Sequence, residues 1–403
     1  MAGLTPSGKE MNQQGEQLED HSIFSTEARV SLERFPDVDV RGTSSKRISI
    51  VGADGISVLY EIDPKEGAIK PNIGNQLLHI SSETVLEQLP LSVDTFKIVN
   101  DISRDVLFGV EGKSPLERIC EFKWGTGYIG GEWNGARVRL MLGSDLTAGV
   151  TGVRMFVDNP NNLKKSLPRF QSVLQILDHR GTLAVIDYPV AYRTVSSAAV
   201  IMEHLLEQGA PFSVGILGFG KTAKNLLFAI AALPRLPDRI FITAKGNNGY
   251  KSPGDRIEAE LPELPSDILG RITPESDIDS ASNVDVVYDL AGGYHALKQP
   301  GDKVKLFLLI AKTGAPKYGF VRAFGSHFFD AYRGNKDVFG TSDFHPFFTK
   351  EYTREAPSLS HVSTAPRGML GLQNKAVICT VMGSPVIDAK IGIELIRRTG
   401  LVR

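Results

Sequence analysis

The largely apolar run Ser213–Leu217 breaks into Gly218-Phe219-Gly220 and resumes as the helical pattern KTAKNLLFAIAALP. Two glycines set between a strand and a helix constrain the fold more than any other feature of this chain. Gly218 allows the tight turn, Gly220 lets another molecule approach the backbone, and Ala223 is small enough to seat the helix against a sheet. The first N–H groups of such a helix have no intrahelical acceptor and face outward, where they attract phosphate. Downstream, Arg239–Thr243, NVDVVYDLAGG and KVKLFLLIAKTG supply further buried-looking strands separated by helical or turn segments. That alternation builds a parallel, doubly wound sheet. The expected fold class is α/β: a Rossmann-type doubly wound domain preceded by an α+β domain.

A chain of 403 residues accommodates two or three domains. Residues 1–45 are polar and read as a disordered or loosely attached tail. Residues 46–208 read as the α+β domain with a linking helix at TVSSAAVIMEHLLEQ. Within it, SSETVLEQLP has a capping serine and a terminating proline, and VDTFKIVNDISRDVLFG has helical spacing. ARVRLMLG, GVRMFVD and QSVLQILDHRGTLAVIDY read as strands, the last bent at His179-Arg180-Gly181-Thr182. Residues 209–345 read as the Rossmann domain. Residues 346–403 end in a strand, a turn and a helix expected to return to the first domain.

Lys and Arg number 45 against 46 Asp and Glu, so no electrostatic footprint suggests nucleic acid or a membrane surface. An anionic ligand must therefore be met by local cations. Two distant cysteines, Cys120 and Cys379, form no disulfide framework or metal cluster, and a reducing compartment fits them. No apolar run is long enough to span a bilayer, and the first residues lack a signal-peptide core. A cytoplasmic protein is the expectation. No metal motif, P-loop or serine nucleophile elbow is present.

The glycine-rich turn points to a dinucleotide, held by Gly218, Phe219, Gly220, Lys221, Thr222 and Ala223. The bland alternative is a plain strand–turn–helix with glycines for geometry only. NAD sites place an acid after the second strand to bind the ribose 2′-hydroxyl. Here Thr243-Ala244-Lys245-Gly246 carries none, and Lys245 can face a 2′-phosphate, which favours NADP over NAD. As an alternative, Lys245 is an ordinary solvated lysine. Asp289, ending another strand of this domain, is placed near the nicotinamide.

The stretch from Thr151 to Gln208 resembles the ornithine cyclodeaminase/mu-crystallin family. The resemblance rests on Arg154, Asn159-Pro160, Pro168, Leu177-Asp178 and Arg193-Thr194, with weaker echoes at Pro115–Arg118 and at Gly383 to Asp388. It is nearest in type to the siderophore-pathway amino-acid dehydrogenases of that family. It implies a homodimeric enzyme that uses a nicotinamide at the α-carbon of a small amino acid or imine. Carried over by position, Arg118, Arg154 and Arg193 hold the substrate carboxylate, and Thr194 lies at the cofactor. A planar guanidinium fork suits a carboxylate independently of any family.

Two departures narrow the expectation. Members commonly have Lys where this chain has Arg154, and arginine cannot give up its proton, so Arg154 contributes charge and orientation. Cyclodeaminases carry an Asp where this chain has Gly314. Losing that acid/base group favours an amino-acid dehydrogenase or imine reductase over a cyclodeaminase. Asp330, with Asp337 and His345 nearby in sequence, is then a candidate proton carrier, and no spacing singles one of the three out. A non-catalytic dinucleotide- or ligand-binding protein stays open as a third reading.

Overall fold

The computed structural model describes residues 39–44, 47–51, 57–62, 69–71, 78–109, 119–128, 137–165, 169–178, 181–188, 192–243, 250, 252–275, 278–290, 301–310, 324, 326–329, 359–372, 375–381 and 383–399. The chain divides into two compact units, residues 1–76 and 77–403. In the first unit, β1 (Asp39–Ser44), β2 (Arg47–Val51), β3 (Ser57–Ile62) and β4 (Ile69–Pro71) form an antiparallel meander. Strand β1 thus starts inside the stretch read as a tail.

The second unit opens with β5 (Leu78–Ile80), α1 (Ser82–Gln88) and α2 (Val93–Phe108). Each helix starts at a serine cap, Ser81 or Ser92, whose hydroxyl accepts the amide of the residue three further on. Strands β6 (Ile119–Tyr128), β7 (Arg137–Asp145), β8 (Val150–Asp158), β9 (Phe170–Asp178) and β10 (Gly181–Asp187) follow. They pair antiparallel in the order β10-β9-β8-β7-β6, and β5 joins β10 in parallel. Period-two alternation gives the sheet one buried face, with Gly152 and Arg154 on β8, Leu174 and Ile176 on β9, and Ala184 and Ile186 on β10. Strand β6 went unread in the sequence, where glycines interrupt its alternation. Gly181 and Thr182, read from sequence as part of a turn, belong to the β9–β10 ladder.

The linking helix, α3 (Tyr192–Leu205), begins two residues earlier than its apolar pattern implied, so Arg193 lies inside its first turn. Then come β11 (Ser213–Leu217), α4 (Lys221–Ala231), β12 (Arg239–Thr243), α5 (Pro253–Glu260) and the short α6 (Ser266–Leu269). Strand β13 (Ile272–Glu275), the short α7 (Ile278–Ser282), β14 (Val286–Asp289) and β15 (Leu306–Ile310) complete the run. The last strands are β16 (Ser326–Phe329), β17 (Leu359–His361) and β18 (Val377–Val381), before α8 (Pro385–Arg398). The second sheet runs β13-β12-β11-β14-β15-β18-β16-β17, every pair parallel. The chain first steps from β11 to β12 and β13, then restarts on the other side at β14. Doubly wound sheets bind ligands at that reversal, outside the strand ends.

Two sequence expectations need correction. The second sheet does not end near residue 345, because β17 and β18 extend it. Nor does the whole C-terminal segment return to the first sheet. Strand β18 inserts between β15 and β16, and all five of its residues are buried, as befits a central parallel strand covered on both faces. Of the described elements in that segment, α8 crosses back, lying over β7, β8 and β9.

Candidate functional site

The glycine turn sits at the reversal point. Gly218 has φ +104, which a side chain rarely tolerates, and its amide donates to Thr243 Oγ1 at 2.9 Å. Gly220 caps α4 with no side-chain hydrogen bond, and a Cβ placed there would meet nothing within 4 Å. The first turn of α4 carries no acid. Ala223 is buried and Lys221 exposed. These features suit a pyrophosphate: an uncapped helix start, open space above a glycine, and a first helical turn without an acid.

Phe219 serves the turn differently than expected. Its ring is buried under the Arg256 guanidinium, 5.2 Å from the ring centre, and Arg256 also donates to the Phe219 carbonyl at 3.3 Å. Both the side chain and the carbonyl of Phe219 thus anchor the turn to Arg256. Asp289 is fully buried beside this turn, as the cross-strand partner of Leu217.

The second group of residues forms on the buried face of the first sheet. Helix α8 comes unusually close to that sheet because small residues meet there. A Cβ on Gly143 would stand 2.5 Å from the Val386 amide, and one on Gly152 would stand 2.7 Å from Ala389 Cβ. Gly392, on the helix, leaves room for Ile176. The close approach brings Asp388, in the first turn of α8, down to Arg154 on β8 and Arg193 on α3. Asp388 Oδ2 accepts from Arg154 Nη1 at 3.0 Å and from Arg193 Nη1. Arg154 Nε donates to Ser172 Oγ at 2.7 Å, and its guanidinium lies 4.9 Å from the centre of the Tyr188 ring. Arg193 Nη2 contacts Met141 Sδ at 3.2 Å.

Arg154, Arg193, Asp388 and Tyr188 are nearly sealed from solvent. Burial pushes the Tyr188 phenol far above its ordinary range, and the Asp388 charge pushes it further, so Tyr188 is a neutral hydrogen-bond donor. Burial also lowers Arg193, against the pull of Asp388.

Helix α3 joins the two groups. Its first turn holds Arg193 and Thr194, and its next turn is tied to the helix that starts at the glycine turn. Ser196 Oγ donates to Asn100 Oδ1 at 2.7 Å, and Asn100 Nδ2 donates to the Ala229 carbonyl of α4 at 3.0 Å. Ser103 and Ser196 share a further 2.8 Å hydrogen bond.

Of the residues singled out from sequence, Arg154 and Arg193 therefore meet at Asp388. Gly218, Phe219, Gly220, Lys221, Thr222, Ala223, Thr243 and Asp289 gather at the reversal point. Arg118, Lys245, Gly314 and Asp330 lie outside the described residues. Sequence reasoning missed Tyr188, and it assigned Asp388 no role. Both carried a signal. Tyr188 continues the Ala184, Ile186 alternation onto the buried face, and Asp388 is an acid on the apolar stripe of α8 with Ile391 and Leu395. A buried acid on such a stripe needs a cationic partner.

Among the described residues, no group of three or more His, Cys, Asp or Glu could hold a metal ion, and no helix is long and apolar enough to cross a membrane.

No protein-family model and no curated protein matches the chain. Solved structures do. The iminosuccinate reductase of Paracoccus denitrificans, in complex with NAD+, aligns with a TM-score of 0.59 at 15% identity, over 81% of this chain and 98% of that one. The Δ1-pyrroline-2-carboxylate reductase of Thermococcus litoralis, in complex with NADH and L-proline, gives 0.55 at 16%, over 80% and 98%. An archaeal alanine dehydrogenase dimer with bound NAD gives 0.55 at 14%, over 80% and 95%. At these identities the likeness establishes the fold alone: the chain shares its α/β fold with these structures across about four-fifths of its length.

Proposed function

We propose that the chain is an NAD(P)-dependent oxidoreductase acting at the C–N bond of a small amino acid or imine, either an amino-acid dehydrogenase or an imine reductase. One observation carries this reading. A single helix, α3, presents Arg193 at one end of a buried arginine pair and is tied through Ser196 and Asn100 to α4, whose uncapped start forms the phosphate cradle. Carboxylate recognition and dinucleotide recognition are thereby fixed to one rigid element. That two of the similar structures hold NAD+ or NADH with an imine-reductase activity, one of them also with L-proline, supports the same reading.

Gly218 through Ala223 and Thr243 would hold the dinucleotide, which when bound supplies or accepts a hydride. NADP is favoured over NAD by the absence of a carboxylate from Thr243 to Gly246 and the presence of Lys245. Arg154 and Arg193, with Arg118 in support, hold the substrate carboxylate and so fix which face of the α-carbon is presented. Orientation of this kind is the protein's main contribution to hydride transfer. Asp330 carries the proton.

A homodimer forms through the outer face of the first sheet, where Val153, Met155, Val157, Val173 and Leu177 stand opposite the arginine face and Met155 is 43% exposed. One similar structure is described as a dimer. The buried thiol of Cys379 suits the reducing cytoplasm.

The test is spectrophotometric. With NAD(P)+ or NAD(P)H present, the 340 nm region is followed against L-alanine, L-proline, L-ornithine and Δ1-pyrroline-2-carboxylate. Stoichiometric absorbance change with one of them is expected. Ammonia release from ornithine with no net redox change would instead identify a cyclodeaminase, the reading that the Gly314 position argues against.

A further inference from the structure

Two long cationic side chains from different elements, β8 and α3, end at one carboxylate oxygen. Like charges repel at this separation, and water is excluded, so the arginines do not hold this arrangement unaided. Asp388 is positioned to impose it. Its helix is locked in register by backbone-close contacts at Gly143, Gly152 and Gly392. Its side chain is fully buried, and it takes one donor from each guanidinium. The Tyr188 ring closes the far side of Arg154.

We propose that Asp388 is a positioning residue. Through a single oxygen it sets the spacing and facing of the Arg154 and Arg193 guanidiniums, so that the pair receives a substrate carboxylate in one orientation. This rests on the reading of those arginines as carboxylate ligands. Asp388 does not touch substrate; it acts through the arginines, and removing its charge leaves two like-charged forks with no shared acceptor to set their spacing. The arginines' affinity for a carboxylate then falls, while the dinucleotide cradle, built on other elements, is unaffected.

The experiment is a double-mutant cycle on the full-length protein, with Asp388→Asn, Arg154→Ala and the pair combined. L-alanine, L-proline, L-ornithine and Δ1-pyrroline-2-carboxylate are the probes, and calorimetry gives NADPH affinity. Asp388→Asn should raise KM about tenfold or more and change kcat less, with NADPH affinity within twofold of wild type. In the Arg154→Ala background the same change should add less than threefold, because the residue acts through its partner. Full multiplication of the two effects, or an unchanged KM, overturns the proposal. Should Asp388→Asn fail to fold, Asp388→Glu keeps the charge while moving the oxygen outward; KM must still rise, and a Glu variant with wild-type KM overturns the proposal. A wild-type protein that binds NADPH but turns over none of the probes overturns the proposed function, and this inference with it.

Discussion

Gly383 stands directly against Arg193: a Cβ at position 383 would come within 2.9 Å of Arg193 Nε and 2.8 Å of Thr194 Oγ1. Its φ of +73 is a second reason that a side chain is excluded. Gly383→Ala should therefore cost about 2 kcal/mol or more, from left-handed strain plus displacement of a buried arginine. Chemical denaturation measures the loss. Activity should fall with it, since the displaced group is Arg193. A variant with unchanged midpoint and KM would mean that the two segments do not pack as described.

At Gly220 the opposite holds for the fold. The space over this residue is open and α4 lacks a side-chain cap. Gly220→Asp should leave stability unchanged or raise it by up to about 1 kcal/mol, because aspartate is a good N-cap. NADPH affinity should drop at least a hundredfold, since the carboxylate would occupy the place of the pyrophosphate. Calorimetric titration decides it, and the same titration on wild type should show NADPH bound about tenfold tighter than NADH, roughly 1.4 kcal/mol.

Asn100 ties three helices together. Its amide donates to α4 and its carbonyl accepts from α3, while it belongs to α2. Asn100→Leu should destabilise the protein by about 1–3 kcal/mol, the cost of losing the bond to the Ala229 carbonyl and one of the two hydrogen bonds of the buried Ser196 hydroxyl. A urea midpoint equal to that of wild type would contradict this.

His204 gives stability a pH dependence. It stacks on Phe108 at 3.8 Å, and its Nε2 lies 2.9 Å from the Ala365 carbonyl. Burial lowers its pKa from 6.5, outweighing the Ala365 hydrogen bond. Above about pH 6.5 the ring is neutral both folded and unfolded, and its contribution is whole. As pH falls through that value the unfolded state takes up the proton first, so stability declines until the folded ring is also protonated. Thermal unfolding between pH 7.5 and 5 should show this decline, and His204→Gln should flatten it. An equal slope in the variant would assign the titration elsewhere.

Much of this protein is legible from local pattern alone. The strand, glycine turn and helix at Ser213 to Ala231 declare themselves, because turn chemistry and helix seating depend on residues adjacent in sequence. The capped helices at Ser82 and Val93 and the alternation of β7 through β10 do so for the same reason. Arg154 and Arg193 were identifiable as buried-site cations from a resemblance spanning neighbouring segments. Tertiary structure alone decided what they meet. Asp388 lies 234 residues from Arg154, and no local periodicity encodes which acid a distant helix will set down on a sheet. That pairing follows from Gly143, Gly152 and Gly392 allowing α8 to approach, a property of two surfaces meeting. The placement of β18 is likewise nonlocal. Its nearly unbroken apolar run, Val377, Ile378, Cys379 and Val381, announces burial on both faces, but which strands flank it depends on β15 and β16 lying on either side.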